Sequence, residues 1–218
     1  MNVLMSIKPM WIELIASGKK TLEIRKSMPK NVKYPFKVYM YCTKGIKSRP
    51  FDNPWSSKYI NFSPAGYNKG SWYDIEGTIV GEFTVNHITR FSAHEEPLHF
   101  VDGIVRGGYT ICDDISSKYF GSTGYVILRD SCLTGKQMVD YIGDNKIGFA
   151  WEISDVVIYD KPKYLSDFYK TCTKKDCDGC EFLHFPLEDW ETPYCDTKER
   201  RQITRPPQSW CFVEEGIY

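Results

Sequence analysis

Ser17-Gly18-Lys19-Lys20-Thr21-Leu22-Glu23-Ile24-Arg25-Lys26 changes its periodicity partway along. Before it, Trp11, Ile12, Leu14 and Ile15 recur at helical spacing, so residues 9–17 are expected to form a helix. Pro9 suits the first turn of that helix, and Gly18 suits its left-handed close. From Thr21 to Arg25 the alternation is that of a strand, with Leu22 and Ile24 on one face and Glu23 and Arg25 on the other. Lys20 falls in the turn between them. The apolar face is what any half-buried strand needs. The other face sets a carboxylate beside a guanidinium with lysines at the rim, an arrangement suited to a polar ligand. Arg25 offers a fork for phosphate or carbonyl. Glu23 offers an acceptor for an exocyclic amine, or a base. The plain alternative is a surface ion pair worth about 0–1 kcal/mol.

Outward from this stretch, Val3 to Ile7 and Phe36 to Cys42 are expected as strands, as are the long run Gly77–Ile88, Ile147–Ile153 and Val156–Tyr159. The glycines within 77–88 predict a bulge or barrel bend. Thr134 and Gln137 form a capping box before a short helix through Met138, Val139 and Tyr141. Residues 43–76 and 91–131 show no sustained periodicity and are expected as insertions, the second holding a strand-like run from Tyr125 to Leu128. Several short strands, few helices and glycine bends predict an α+β chain built on a small closed barrel, with short helices at its ends. The expected division is a barrel over residues 1–165, a cysteine-rich extension over 166–204, and a last strand and tail over 205–218.

The 218 residues include 15% aromatics, enough for a real core. No apolar run reaches about 18 residues, so no membrane span is expected. The start of the chain has no long apolar region of signal-peptide type. A reducing, cytoplasmic setting is expected, with the eight cysteines as thiols or metal ligands. Net charge is zero, yet eleven basic against two acidic residues leave the first fifty at +9. That bias points to an anionic partner such as phosphate or nucleic acid, or simply to solvated lysines.

Cys172, Cys177 and Cys180 follow C-x₄-C-x₂-C spacing, with Cys195 fifteen residues on. Four thiolates, or three with a histidine, suit a closed structural zinc site. Cys195 is preferred to His184 as the fourth ligand, and free loop thiols or a redox pair are the alternatives. Cys42, Cys112, Cys132 and Cys211 are expected as packing residues. The four histidines (His87, His94, His99 and His184) show no spacing to a cysteine that demands nucleophilic catalysis.

Gly18, Lys20, Glu23 and Arg25 fill a G-x-K-x-x-E-x-R pattern that resembles the signature of the ASCH superfamily, a PUA-like β-barrel group. The opening Leu4-Met5-Ser6-Ile7-Lys8-Pro9 looks like that family too. The runs Ile153–Pro162 and Arg205–Glu215 look like its phage and prophage members. The resemblance covers residues 1–42, 77–90, 134–165 and the last strand. It implies a barrel cleft beside the motif that binds RNA or a single modified nucleotide. Lys8, Lys20, Glu23 and Arg25 would line that cleft, with Trp151 and Trp210 either as stacking faces or simply as core packing residues. One ASCH branch resembles an amidohydrolase of N4-acetylcytidine. Lys20 matches its motif lysine, while Glu23 stands where its threonine hydroxyl is placed. Three readings follow: a binding module; a hydrolase of acylated nucleosides or RNA with Lys20 and Glu23 as acid/base groups; and a phage-encoded interaction protein.

Overall fold

The computed structural model describes residues 2–30, 32–44, 75–101, 104–113, 122–171, 183–184, 194–195 and 201–215. Among the described residues, a six-stranded and a four-stranded sheet with three α-helices make its layers, beside one small two-stranded ladder. β1 (Asn2–Ile7) leads into α1 (Pro9–Ala16), with Pro9 in the first turn as its fixed φ favours. Gly18 takes φ 72, and the N–H groups of Lys19 and Lys20 both return to the Leu14 carbonyl, closing the helix as expected. β2 (Leu22–Arg25), β3 (Phe36–Cys42) and β4 (Ile79–Val85) follow, then β5 (Ile88–Val101) and β6 (Ile104–Asp113). α2 (Ser122–Ser131) and α3 (Gly135–Ile142) precede β7 (Lys146–Glu152), β8 (Ser154–Lys163) and β9 (Phe168–Lys170). The chain closes with β10 (Leu183–His184), β11 (Tyr194–Cys195) and β12 (Trp210–Glu215).

The six-stranded sheet runs β8-β4-β3-β1-β12-β9, and the four-stranded one runs β2-β7-β5-β6. β1 and β3 pair in parallel, and every other named pair is antiparallel. The main core lies between the sheets. Val3, Met5, Ile7, Val38 and Met40 of the first meet Ile88 and Trp151 of the second, with Ile12 and Ile15 of α1. A second core packs Ile24, Phe91, Ala93 and Ala150 against Ile127 of α2 and Met138, Val139 and Ile142 of α3. A third covers the far face of the six-stranded sheet, joining Leu4, Tyr39 and Ile79 to Phe168 and Ile203. β1 is therefore buried on both faces, which is why Val3-Leu4-Met5 reads as an unbroken apolar run.

Three expectations change. The run 77–88 is not one strand but two, β4 and β5, broken at Asn86–His87. The predicted bulge is present: the β4 register shifts between Ile79 and Gly81, where a side chain at Gly81 would strike the Val157 carbonyl. Residues 91–113 are not irregular but a long hairpin, whose pairing slips between Glu96 and His99 around Pro97. Proline has no N–H for the ladder, and its presence hid the strand from a period-two reading. Tyr125–Leu128 is helix, not strand. Only Ile127 of that run is deeply buried while Tyr125 is 66% exposed, the one-sided burial of a surface helix. A four-residue apolar run does not distinguish the two states by itself. Most of the expected insertion at 43–76 lies outside the described residues.

Candidate functional site

Among the described residues, β2 is an edge strand of the four-stranded sheet, paired only with β7, with Glu23 opposite Trp151 and Arg25 opposite Phe149. Ile24 joins the helix-side core, as its alternation predicts. Glu23 and Arg25 consequently turn to the other face, toward β1. There they are buried rather than solvated, at 6% exposure each, and Lys20 is at 2%. The three form one ionic group. Glu23 Oε1 lies 3.0 Å from Arg25 Nη2, and Glu23 Oε2 lies 3.4 Å from Lys20 Nζ. Arg25 Nη2 also donates to the Ser6 carbonyl of β1 at 2.7 Å. Lys20 Nζ donates to the Ser131 carbonyl at the end of α2 at 2.8 Å. The motif thus ties β1 and α2 to β2.

This group lines a pocket of about 530 Å³. α1 contributes Trp11 to its wall, α3 contributes Gln137, Asp140 and Tyr141, and the exposed Lys8 lies on the approach. Lys20 Nζ sits 5.0 Å from the Trp11 ring centre. Glu23 Oε2 and Arg25 Nε are buried and make no hydrogen bond. Burial pushes the Lys20 ammonium below the usual lysine value, with Glu23 pulling it back up. Burial likewise raises the Tyr141 phenol, against the pull of the neighbouring Arg25.

Lys8, Lys20, Glu23 and Arg25 are therefore brought together around one pocket. The two tryptophans are placed elsewhere. Trp151 is fully buried in the inter-sheet core, which leaves no ring face for a ligand. Trp210 packs on it with ring centres 5.9 Å apart and donates to Ser27 Oγ at 3.1 Å, and neither lines the pocket. The aromatic residues at the pocket are Trp11 and Tyr141 instead. Trp11 was legible only as part of the helix's apolar face, and Tyr141 only as a residue of a capped helix. Neither carried a signal that its ring would meet the motif.

Among the metal candidates, Cys172, Cys177 and Cys180 lie outside the described residues. β10 and β11 pair in register, Leu183 with Cys195 and His184 with Tyr194. The two rivals for the fourth place thus stand on adjacent strands of one ladder. No cluster of three His, Cys, Asp or Glu suited to a metal occurs among the described residues. Cys42 is buried, and Cys132 and Cys211 are partly so; all three are free thiols. Among the described residues, no helix is long and apolar enough to cross a membrane.

A family model described as the ASCH domain matches residues 5–190, so the chain belongs to the ASCH domain family. Among solved structures, the chain is similar to ASCH from Zymomonas mobilis at 14% identity, with a TM-score of 0.45 over 98% of this chain and 87% of that one. Two mutants of that protein, one serine-to-alanine and one tyrosine-to-phenylalanine, also match at 14% identity. Their TM-scores are 0.42, covering 98% of this chain and 88% and 90% of theirs. No curated protein matches. The arrangement of strands with a few short helices is the mixed α+β, PUA-like architecture that the motif implied.

Proposed function

We propose that the pocket holds a nucleotide, either within RNA or as a single modified unit, over Lys20, Glu23 and Arg25. ASCH domains are generally RNA-binding, and this chain's features support the same use. The observation that carries the reading is a pair of buried polar atoms in a group that lines the pocket: Arg25 Nε makes no hydrogen bond, and Glu23 Oε2 makes none beyond its 3.4 Å ion pair with Lys20 Nζ. Buried polar atoms rarely lack partners, and a base edge offers both a donor and an acceptor. The volume lies in the range of about 300–1,000 Å³ usual for small-ligand sites. Trp11 and Tyr141 offer ring faces, and Lys8 with the basic first fifty residues favours phosphate.

Fluorescence anisotropy with labelled single-stranded RNA at two salt concentrations tests this. Affinity is expected to fall with salt and to be lost in Arg25→Ala. Trp11→Ala serves as a second variant in case Arg25→Ala does not fold. Undiminished binding by both folded variants overturns the assignment.

One observation favours a hydrolytic reading beside it. Burial lowers the proton affinity of Lys20, and its amine lines the pocket 3.4 Å from a carboxylate oxygen. Product from N4-acylcytidine that disappears in Lys20→Met supports it; no product from acylated nucleosides or RNA ends it. For the cysteine segment we propose a structural zinc ion held by Cys172, Cys177, Cys180 and Cys195, supported by their spacing. Elemental analysis of protein purified without chelators is expected to find zinc at about one equivalent, and none would refute it. A reducing, cytoplasmic setting is proposed on the same reading of the cysteines.

A further inference from the structure

β5 carries a second constellation, apart from the pocket. Its buried side presents Phe91 and Ala93 to the helix-side core. Ser92 and His94 alternate to the other side and are partly exposed. His94 Nε2 lies 2.9 Å from Ser92 Oγ, and His94 Nδ1 lies 2.8 Å from Asn145 Oδ1. Asn145 Nδ2 donates to Asp144 Oδ2 at 2.8 Å, and Asp144 Oδ1 accepts the Glu95 N–H at 2.9 Å.

These bonds have one consistent direction. A carboxylate only accepts, so the Asn145 group facing Asp144 is the NH₂. The Asn145 oxygen then faces His94, and the imidazole must carry its proton on Nδ1. Nε2 is left as a bare lone pair, and the Ser92 hydroxyl must donate to it. Asn145 is fixed independently: its backbone takes φ 55, and its N–H donates to the Ala93 carbonyl at 2.9 Å. The Glu95 N–H, as the main cause, holds the Asp144 carboxyl below its usual range, so it stays an acceptor.

We propose that Ser92 is an activated serine nucleophile that takes an acyl group from small activated esters. His94 acts as its base, and Asn145 with Asp144 are positioning residues. A hydroxyl bonded to a base that a third group orients is the arrangement nucleophilic catalysis requires. Ser92 Oγ attacks the ester carbonyl carbon while its proton passes to His94 Nε2. The bond from that carbon to the leaving oxygen breaks, and the leaving group departs as a stabilised phenolate. His94 then returns the proton to solvent, and Ser92 is left as its O-acyl ester. An activated ester is specified because its leaving group departs without a general acid.

The test is a time course with p-nitrophenyl acetate, read by peptide mass spectrometry. Ser92 is expected to be acetylated at least about a hundredfold faster than the exposed Ser27 and Ser166 in the same sample. His94→Gln keeps an amide between Ser92 and Asn145 but has no basic nitrogen, and should remove that advantage. Asn145→Gly suits the left-handed backbone and should slow acylation about tenfold with the thermal midpoint retained. Ser92 reacting no faster than Ser27, or reacting unchanged in folded His94→Gln, overturns the proposal.

Discussion

Two ion-pair groups contribute to the lining of the same pocket, the second through Asp140 alone, and differ chiefly in their contact with water. On the floor, Lys20, Glu23 and Arg25 meet at 3.4 and 3.0 Å with side chains 2%, 7% and 8% exposed. On the rim, Lys136 and Asp140 of α3 meet at 2.7 Å but are 65% and 61% exposed. The shorter pair is the weaker one. Water screens the rim pair, whereas the floor charges have given up their hydration and depend on one another. Distance describes geometry, and burial sets the energy at stake. The two lysines respond accordingly: burial pushes Lys20 down, while the hydrogen bond that Lys136 donates to Asp140 pushes Lys136 up.

The comparison breaks first at Glu23. Glu23→Ala strands two cations in the interior and should cost about 3–5 kcal/mol in urea unfolding, against under about 0.5 for Asp140→Ala. Equal costs would mean the floor group is as solvated as the rim. Next, Trp11→Ala should weaken RNA binding by about 1–3 kcal/mol, measured by anisotropy on folded protein. Thr134→Ala removes the capping box that anchors the rim helix, where Thr134 Oγ1 accepts from the Gln137 N–H at 3.2 Å. Its expected cost is about 1 kcal/mol in thermal or urea unfolding. The smallest effect is a difference in pH slope. The folded-state pKa of Lys20 lies below its unfolded value of 10.5, so between the two the unfolded chain holds the extra proton. Stability relative to Lys20→Met should therefore rise with pH across that window, the cost of the buried charge being present in full below it. Lys136 is raised, so its contribution is present below 10.5 and lost as pH climbs past it. Parallel slopes in Lys20→Met and Lys136→Met, from unfolding curves between pH 8 and 11, would remove the distinction.

The ends of the chain and the motif were legible because their signals are local. Pro9, Gly18 and the Thr134–Gln137 box act on the backbone within a few residues, and each acts in the structure as its chemistry predicts. The β5–β6 hairpin was not legible, since Pro97 and paired glutamates interrupt its alternation while the ladder continues past them by a register slip. Nor was the Ser92–His94–Asn145 relay, because Asn145 comes from the turn before β7, more than fifty residues along the chain.

By itself, the sequence determined that Leu22 and Ile24 part from Glu23 and Arg25, because a strand alternates whatever surrounds it. It also determined that Lys20 sits in the turn that Gly18 closes. Only the tertiary structure decided that the polar face is buried. β1 presents its Ser6 carbonyl to Arg25, and α2 presents that of Ser131 to Lys20, converting a face that reads as solvated into a pocket floor. The same packing set Trp11 and Tyr141, rather than Trp151, in the wall of the pocket. Which ring faces a cavity depends on how layers distant in sequence stack, and no local period encodes that.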